Sequence, residues 1–157
     1  LLNIFLSFPL ISNLARQIDL TRFSRSLYLL LNAGIPIAAA LEFTQEVVLK
    51  KEVSQAILKS KEMVISGNKL SEGLKTARNI FPSIMIKITE AGEKSGSLDK
   101  SMLDASEYLD YQVSKTLSTL TSLLEPIMLI VVGIIVGGMM LAIIAPIYGL
   151  IGQVGAR

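Results

Sequence analysis

Residues Glu90 to Ser101 read EAGEKSGSLDKS. A lysine, serines and two glycines ahead of a helix are the parts of a phosphate-cradling loop. The chemistry would be nucleotide binding, with backbone amides around the phosphates and the lysine neutralising them. The spacing argues against it. A P-loop has glycine directly before its lysine and follows a strand, whereas Glu93 precedes Lys94 here and its carboxylate would repel the phosphate. Every residue fits a break between two helices instead. Gly92 serves as a C-terminal cap, Gly96 makes the turn, Ser97 caps the next helix and Asp99 favours its dipole.

Other catalytic constellations are equally thin. The chain has no histidine and no cysteine, so a Ser-His-Asp triad, a Cys-His pair, a zinc site and a haem ligand lack their parts. A disulfide framework is excluded too, which suits a reducing compartment. Asp104, Glu107 and Asp110, with Tyr108 and Tyr111, recur on adjoining turns of one helix. They could meet a divalent ion or a basic partner, but a solvated face is the plainer reading. Glu90 and Glu93 fit surface or capping groups better than a paired acid and base. No metal ligand or cofactor site is assigned.

The elements that must position these residues read as helix throughout, with no alternating β-branched run between turn signals. The first helix is expected over Thr21 to Asn32, with Phe23, Leu27, Leu30 and Leu31 inward and Gly34 at its stop. Pro36 opens a second to about Lys50, with Ala40, Leu41, Val47 and Val48 available for packing. A third runs from Glu52 to Ser66 on Val53, Ile57, Met63 and Val64, ending at Gly67. Ser71 is expected to cap a short helix, Glu72 to Ala77. Pro82 opens a fifth with Ile84, Met85, Ile88 and Ala91 inward. The last has no breaker from Leu98 to Leu124. Short connections between such helices give an all-α, antiparallel up-and-down bundle of about six helices followed by one C-terminal transmembrane helix.

The membrane assignment rests on Ile127 to Ala145, IMLIVVGIIVGGMMLAIIA, a charge-free run long enough to cross a bilayer. Its 11 Leu, Ile and Val residues contribute on the order of −5 kcal/mol towards insertion. Residues 1–125 hold 14 of the 15 Lys and Arg and all 13 Asp and Glu. That balance gives no basic patch for nucleic acid, and by the positive-inside tendency it puts the bundle in the cytoplasm. Glu125 marks where the bilayer begins. Pro126 is either a kink coupling bundle to span or a boundary between two helices. Gly133 and Gly137 form GxxxG, and Gly138 with Ala142 extends the small-residue pattern that lets another helix approach in lipid. LLNIFLSFPLI at the start is too short to span; it fits the exit from an earlier membrane segment or an amphipathic lead-in, and suggests a piece of a longer chain.

These motifs carry a resemblance. Leu31-Asn-Ala-Gly-Ile-Pro36 follows an arginine-containing first helix, and then come Ser66-Gly67-Asn-Lys-Leu-Ser71, Phe81-Pro82 and Gly92-Glu-Lys-Ser-Gly-Ser-Leu98. Leu124-Glu-Pro-Ile127 and Ala145-Pro-Ile-Tyr148 complete the set. In this order and spacing, from about Thr21 to Leu150, the chain resembles the F-domain family of inner-membrane platform proteins of type II secretion systems and type IV pilus machines. The resemblance implies a six-helix cytoplasmic bundle, occurring twice among about three membrane helices in full-length members. This chain then resembles the second bundle and the last span. It divides into a lead-in (1–17), the bundle (18–124), a transmembrane helix (125–151) and a short non-cytoplasmic tail (152–157). The family implies no enzyme activity. It implies contacts with a cytoplasmic assembly ATPase, pilins or pseudopilins and other inner-membrane subunits, and homo-oligomers. Metal sites occur in some family domains, and no ligand set here matches one. The alternative from the residues alone is a membrane-tethered helical enzyme or signalling module using the acidic-tyrosine face.

Overall fold

The computed structural model describes the backbone of residues 9–154 and the side chains of residues 12–144. Six helices lie among the described residues: α1 (Pro9–Asn32), α2 (Ile37–Thr44), α3 (Lys51–Ile65), α4 (Leu70–Lys75), α5 (Ser83–Ser95) and α6 (Leu98–Val154). No strand occurs among them. The chain forms two units, residues 1–115 and 116–157, and α6 contributes to both.

In the first unit each helix packs on the next, α1 on α2, α2 on α3, α3 on α4 and α4 on α5. The apolar stripes meet in one core. Leu20, Phe23 and Leu27 of α1, Leu41 of α2, Val53 and Ile57 of α3 and Leu70 and Leu74 of α4 are all fully buried or within 1% of it. From beyond α4 come Phe81, Met85, Met102 and Leu109. Burying a side chain of this size stabilises by about 1.5–3 kcal/mol. The rings of Phe23 and Phe81 sit 6.0 Å apart at a 50° tilt, a centroid separation within the range of favourable aromatic pairs. Phe81 therefore anchors the loop that leads into Pro82 and α5.

The stops are chemical. After α1, the Gly34 amide donates to the Leu31 carbonyl (2.9 Å) and the Ile35 amide to that of Leu30 (3.0 Å). This pair of bonds needs a left-handed residue between them, and Gly34 supplies it at φ +79°. The same geometry ends α3, where the Asn68 amide reaches the Met63 carbonyl across Gly67.

Several boundaries depart from the expected ones. The first helix does not begin at Thr21. Its hydroxyl bonds back to the Gln17 carbonyl (2.9 Å) as an interior helical residue would, and Arg16 Nη1 reaches the Asn79 carbonyl at 2.7 Å. Residues 1–8 of the lead-in and 155–157 of the tail lie outside the described residues. The second helix ends at Thr44 and not near Lys50. The chain turns there because the buried carboxylate of Asp19 accepts the amides of Leu49 (2.9 Å) and Lys50 (2.7 Å), which a continued helix could not offer. Val47 is accordingly 40% exposed. Ser71 is not a cap, because it lies inside α4 with Lys69 at the N-cap position. In α5 the buried residues are Met85, Ile86, Thr89 and Gly92, so Ile84 and Ala91 face outward instead of in. The close approach of α6 at Gly92, described below, sets this rotation.

Candidate functional site

The loop between α5 and α6 is built by its two glycines in different ways. Gly96, not Gly92, ends the helix, being left-handed at φ +71°. Its amide, that of Ser97 (3.0 Å) and the Ser95 hydroxyl (3.2 Å) all converge on the Gly92 carbonyl. Gly92 is an interior, buried residue of α5. A Cβ there would overlap Ser101 Oγ and stand 2.5 Å from Ser101 Cβ and 3.2 Å from Leu98 Cα. The glycine is thus the seat on which the first turn of α6 rests. Ser97 occupies the position before α6, its carbonyl accepting the Ser101 amide (3.1 Å) while its hydroxyl meets that of Ser95 (2.6 Å).

Glu93 acts as a cap for a helix other than its own. Its Oε1 accepts the backbone amide of Ser71 in the first turn of α4 at 3.2 Å, one of the donors that turn leaves unpaired. Its Oε2 is buried with no hydrogen-bond partner among the described residues. Glu90 lies on the same helix and bonds Lys94 Nζ (2.9 Å) and Lys75 Nζ (3.2 Å). Those two ammonium groups, Lys94 first, hold its carboxyl below its ordinary range. The motif therefore ties α4, α5 and α6 together through one buried glycine, one carboxylate and an ion-pair cluster.

The acidic-tyrosine set lies apart from this junction. Asp104, Glu107, Tyr108, Asp110 and Tyr111 are all exposed, on the face of α6 opposite its buried residues Met102, Ala105 and Leu109. No group of three metal-ligating side chains occurs among the described residues. Pro36 stands at the N-cap position of α2 with φ −56° and ψ 140°, directly after the Gly34 turn.

In the second unit α6 is helical through Glu125 and Pro126, so the two residues do not separate two helices. Proline supplies no N–H, and the Ser122 carbonyl four residues back loses its helical donor. One helix among the described residues is long and apolar enough to cross a membrane. Its most apolar window reaches a mean hydropathy of 3.0 with none of it buried. Gly133, Gly137 and Gly138 have open space where a Cβ would stand, and Ala142 is exposed.

Sequence reasoning missed two features of the first unit. Asp19 holds the α2–α3 connection through two amides. Gly73 lets α4 approach α3 so closely that a Cβ would lie 2.9 Å from Ser60 Cα. An aspartate at a helical position between apolar neighbours and a glycine inside a short helix were the available signals.

Comparison with known proteins places these features. The family model for type II secretion system (T2SS) protein F matches residues 23–146. The type 4 fimbrial assembly protein PilC of Pseudomonas putida is 34% identical over 145 residues, covering 92% of this chain and 36% of that protein. The type II secretion system protein F of Pseudomonas aeruginosa is 31% identical over 147 residues, covering 94% and 36%. The type IV pilus assembly protein PilC of Myxococcus xanthus is 26% identical over 151 residues, covering 96% and 36%. The chain spans just over a third of the length of these relatives.

Proposed function

The chain belongs to the type II secretion system protein F family, and from that membership we propose that it is a non-enzymatic part of an inner-membrane platform in a type II secretion or type IV pilus machine. The observation that carries this is the extent of the match, which runs from the first helix of the bundle into the apolar helix. In this proposal residues 18–124 form a cytoplasmic body, 125–151 cross the membrane and 152–157 lie beyond it. The excess of Lys and Arg before the apolar run supports that orientation. The body contacts a cytoplasmic assembly ATPase and passes its motion to pilins or pseudopilins held in the membrane. Self-association and contacts with other inner-membrane subunits complete the assembly.

Pro126 is the coupling point in this mechanism. A proline inside a helix removes one backbone bond and localises bending there. Pro126→Ala is expected to impair pilus assembly or protein export while membrane insertion and the helical content of the purified protein stay unchanged. Normal assembly and export in that variant would remove the bend from the mechanism. Separately, purification of the intact protein under mild crosslinking should retain an assembly ATPase, and its consistent absence would contradict the coupling role.

A further inference from the structure

The α1–α2 face of the first unit carries an apolar surface at the margin of the core, away from the α5–α6 junction. Ser26, Leu29 and Leu30 on one wall and Phe43 and Val47 on the other line a shallow groove. Leu29 is 57% exposed and Phe43 54%. Large apolar side chains clustered in one groove mark an interaction site, whereas the same residues scattered singly do not. Exposed Ile65 and Ile84 elsewhere in this unit belong to the second kind.

The charge beside the groove selects the partner. Arg22 and Arg25 lie on α1 one turn ahead of Ser26 and Leu29, and residues four apart share a helix face. Both arginines are exposed, and neither has an ion-pair or hydrogen-bond partner among the described residues. On the α2 side the exposed acids are Glu42, which is paired with Lys61 Nζ at 3.0 Å, and Glu46 just beyond the helix. We propose that this groove docks an amphipathic helix of another protein, with its apolar stripe against Leu29 and Phe43 and carboxylates along the flank that meets Arg22 and Arg25. A helix laid in a groove anchors through apolar residues at i, i+3 or i+4 and i+7. Guanidinium groups free of internal partners can take carboxylates in bidentate pairs. A second copy of this chain fits less well, because Glu42 is already engaged by Lys61 and a two-fold contact would bring four arginines to one seam against the two remaining acids, the copies of Glu46. The inference does not depend on the platform proposal.

The test is site-specific photocrosslinking in the intact protein in its own membrane, with p-benzoylphenylalanine replacing Phe43 and, in a second protein, Val47. The adduct is digested and its partner peptide identified. The expected adduct is a segment of a different protein with apolar residues at helical spacing and acids on one flank. Arg22→Glu with Arg25→Glu should lower its yield about tenfold or more, and exchanging the captured acids for lysine should restore it. The same photoprobe at Ile65 should not capture that segment. Capture of a second copy of this chain, of lipid, or of a segment without flanking acids overturns the proposal. So does a yield indifferent to charge reversal, or no adduct at either groove position. Because both arginines are exposed, an unchanged circular dichroism spectrum of the double variant excludes misfolding as the cause.

Discussion

Replacing Gly92 with alanine sets two known effects against each other. In a helix interior alanine is favoured over glycine by about 1 kcal/mol, so the substitution should stabilise α5 if nothing else changed. The new Cβ, however, would stand 2.5 Å from Ser101 Cβ, where carbon atoms normally sit about 3.5–4.0 Å apart. Both atoms are fixed by their backbones and cannot rotate aside, so α5 and α6 must separate by roughly 1 Å. Overpacking of this kind costs about 1–3 kcal/mol, leaving a net loss of about 1 kcal/mol for Gly92→Ala. Ser101→Gly removes both clashing atoms and leaves Leu98 Cα at 3.2 Å as the nearest neighbour, a distance that a shift of a few tenths of an ångström relieves. In that background Gly92→Ala should become neutral or stabilising. The sign change is the test. Urea unfolding of the intact protein in detergent, followed by far-ultraviolet circular dichroism, gives the four stabilities of the cycle. A coupling below about 0.5 kcal/mol would mean that the glycine is not a packing seat.

Glu93→Ala should cost about 1–2 kcal/mol by leaving the Ser71 amide unpaired, whereas Glu93→Gln keeps an acceptor and should cost less; hydrogen exchange at the Ser71 amide distinguishes them. Asp19→Ala removes the acceptor of two amides and should destabilise the bundle by about 2–4 kcal/mol, with exchange at Leu49 and Lys50 accelerating first. Equal protection of those amides in wild type and variant would refute the clamp. Gly133→Leu with Gly137→Leu should leave bundle unfolding unchanged while reducing crosslinking between the apolar helix and neighbouring membrane helices, and unaltered crosslinking would place the GxxxG face towards lipid.

What the sequence made legible was what local chemistry decides. Apolar spacing gave the helices, Gly34 and Gly67 their stops, and the charge-free run its membrane character. The α5–α6 stretch was recognisable as a break because Glu93 stands where a phosphate loop needs glycine. Which of its two glycines turns left-handed was not recognisable, because both occupy plausible cap positions and only the approach of Ser101 fixes Gly92 inside the helix. The end of α2 was hidden for a related reason. Its residues continue a helical pattern, and the group that overrides them, Asp19, lies thirty positions from Leu49. Glu93 likewise acts on Ser71, 22 positions away. The outward placement of Ile84 and Ala91 follows from the same tertiary contact, since the apolar residues Ile84, Met85, Ile86, Ile88 and Ala91 cover an arc of α5 wider than the core can take, and the one position that tolerates no side chain sets which part of it turns inward.

Glycine is used in two opposed ways in this chain. Gly73 and Gly92 stand where a neighbouring helix already fills the space of the missing Cβ, so the bundle recovers in close packing what it loses in helix propensity. Gly133, Gly137 and Gly138 carry the same propensity cost, about 1 kcal/mol each on aqueous scales, with nothing in the space beside them. In hydrocarbon no hydrophobic force draws helices together, and close backbone approach is the main return a glycine can give. An isolated anchor would gain from leucine or alanine at all three positions. Closed contacts in the bundle seat α4 on α3 and α6 on α5, and open ones in the apolar helix leave a face suited to another helix. The distribution of one residue type thus separates close packing inside the bundle from an open face on the apolar helix.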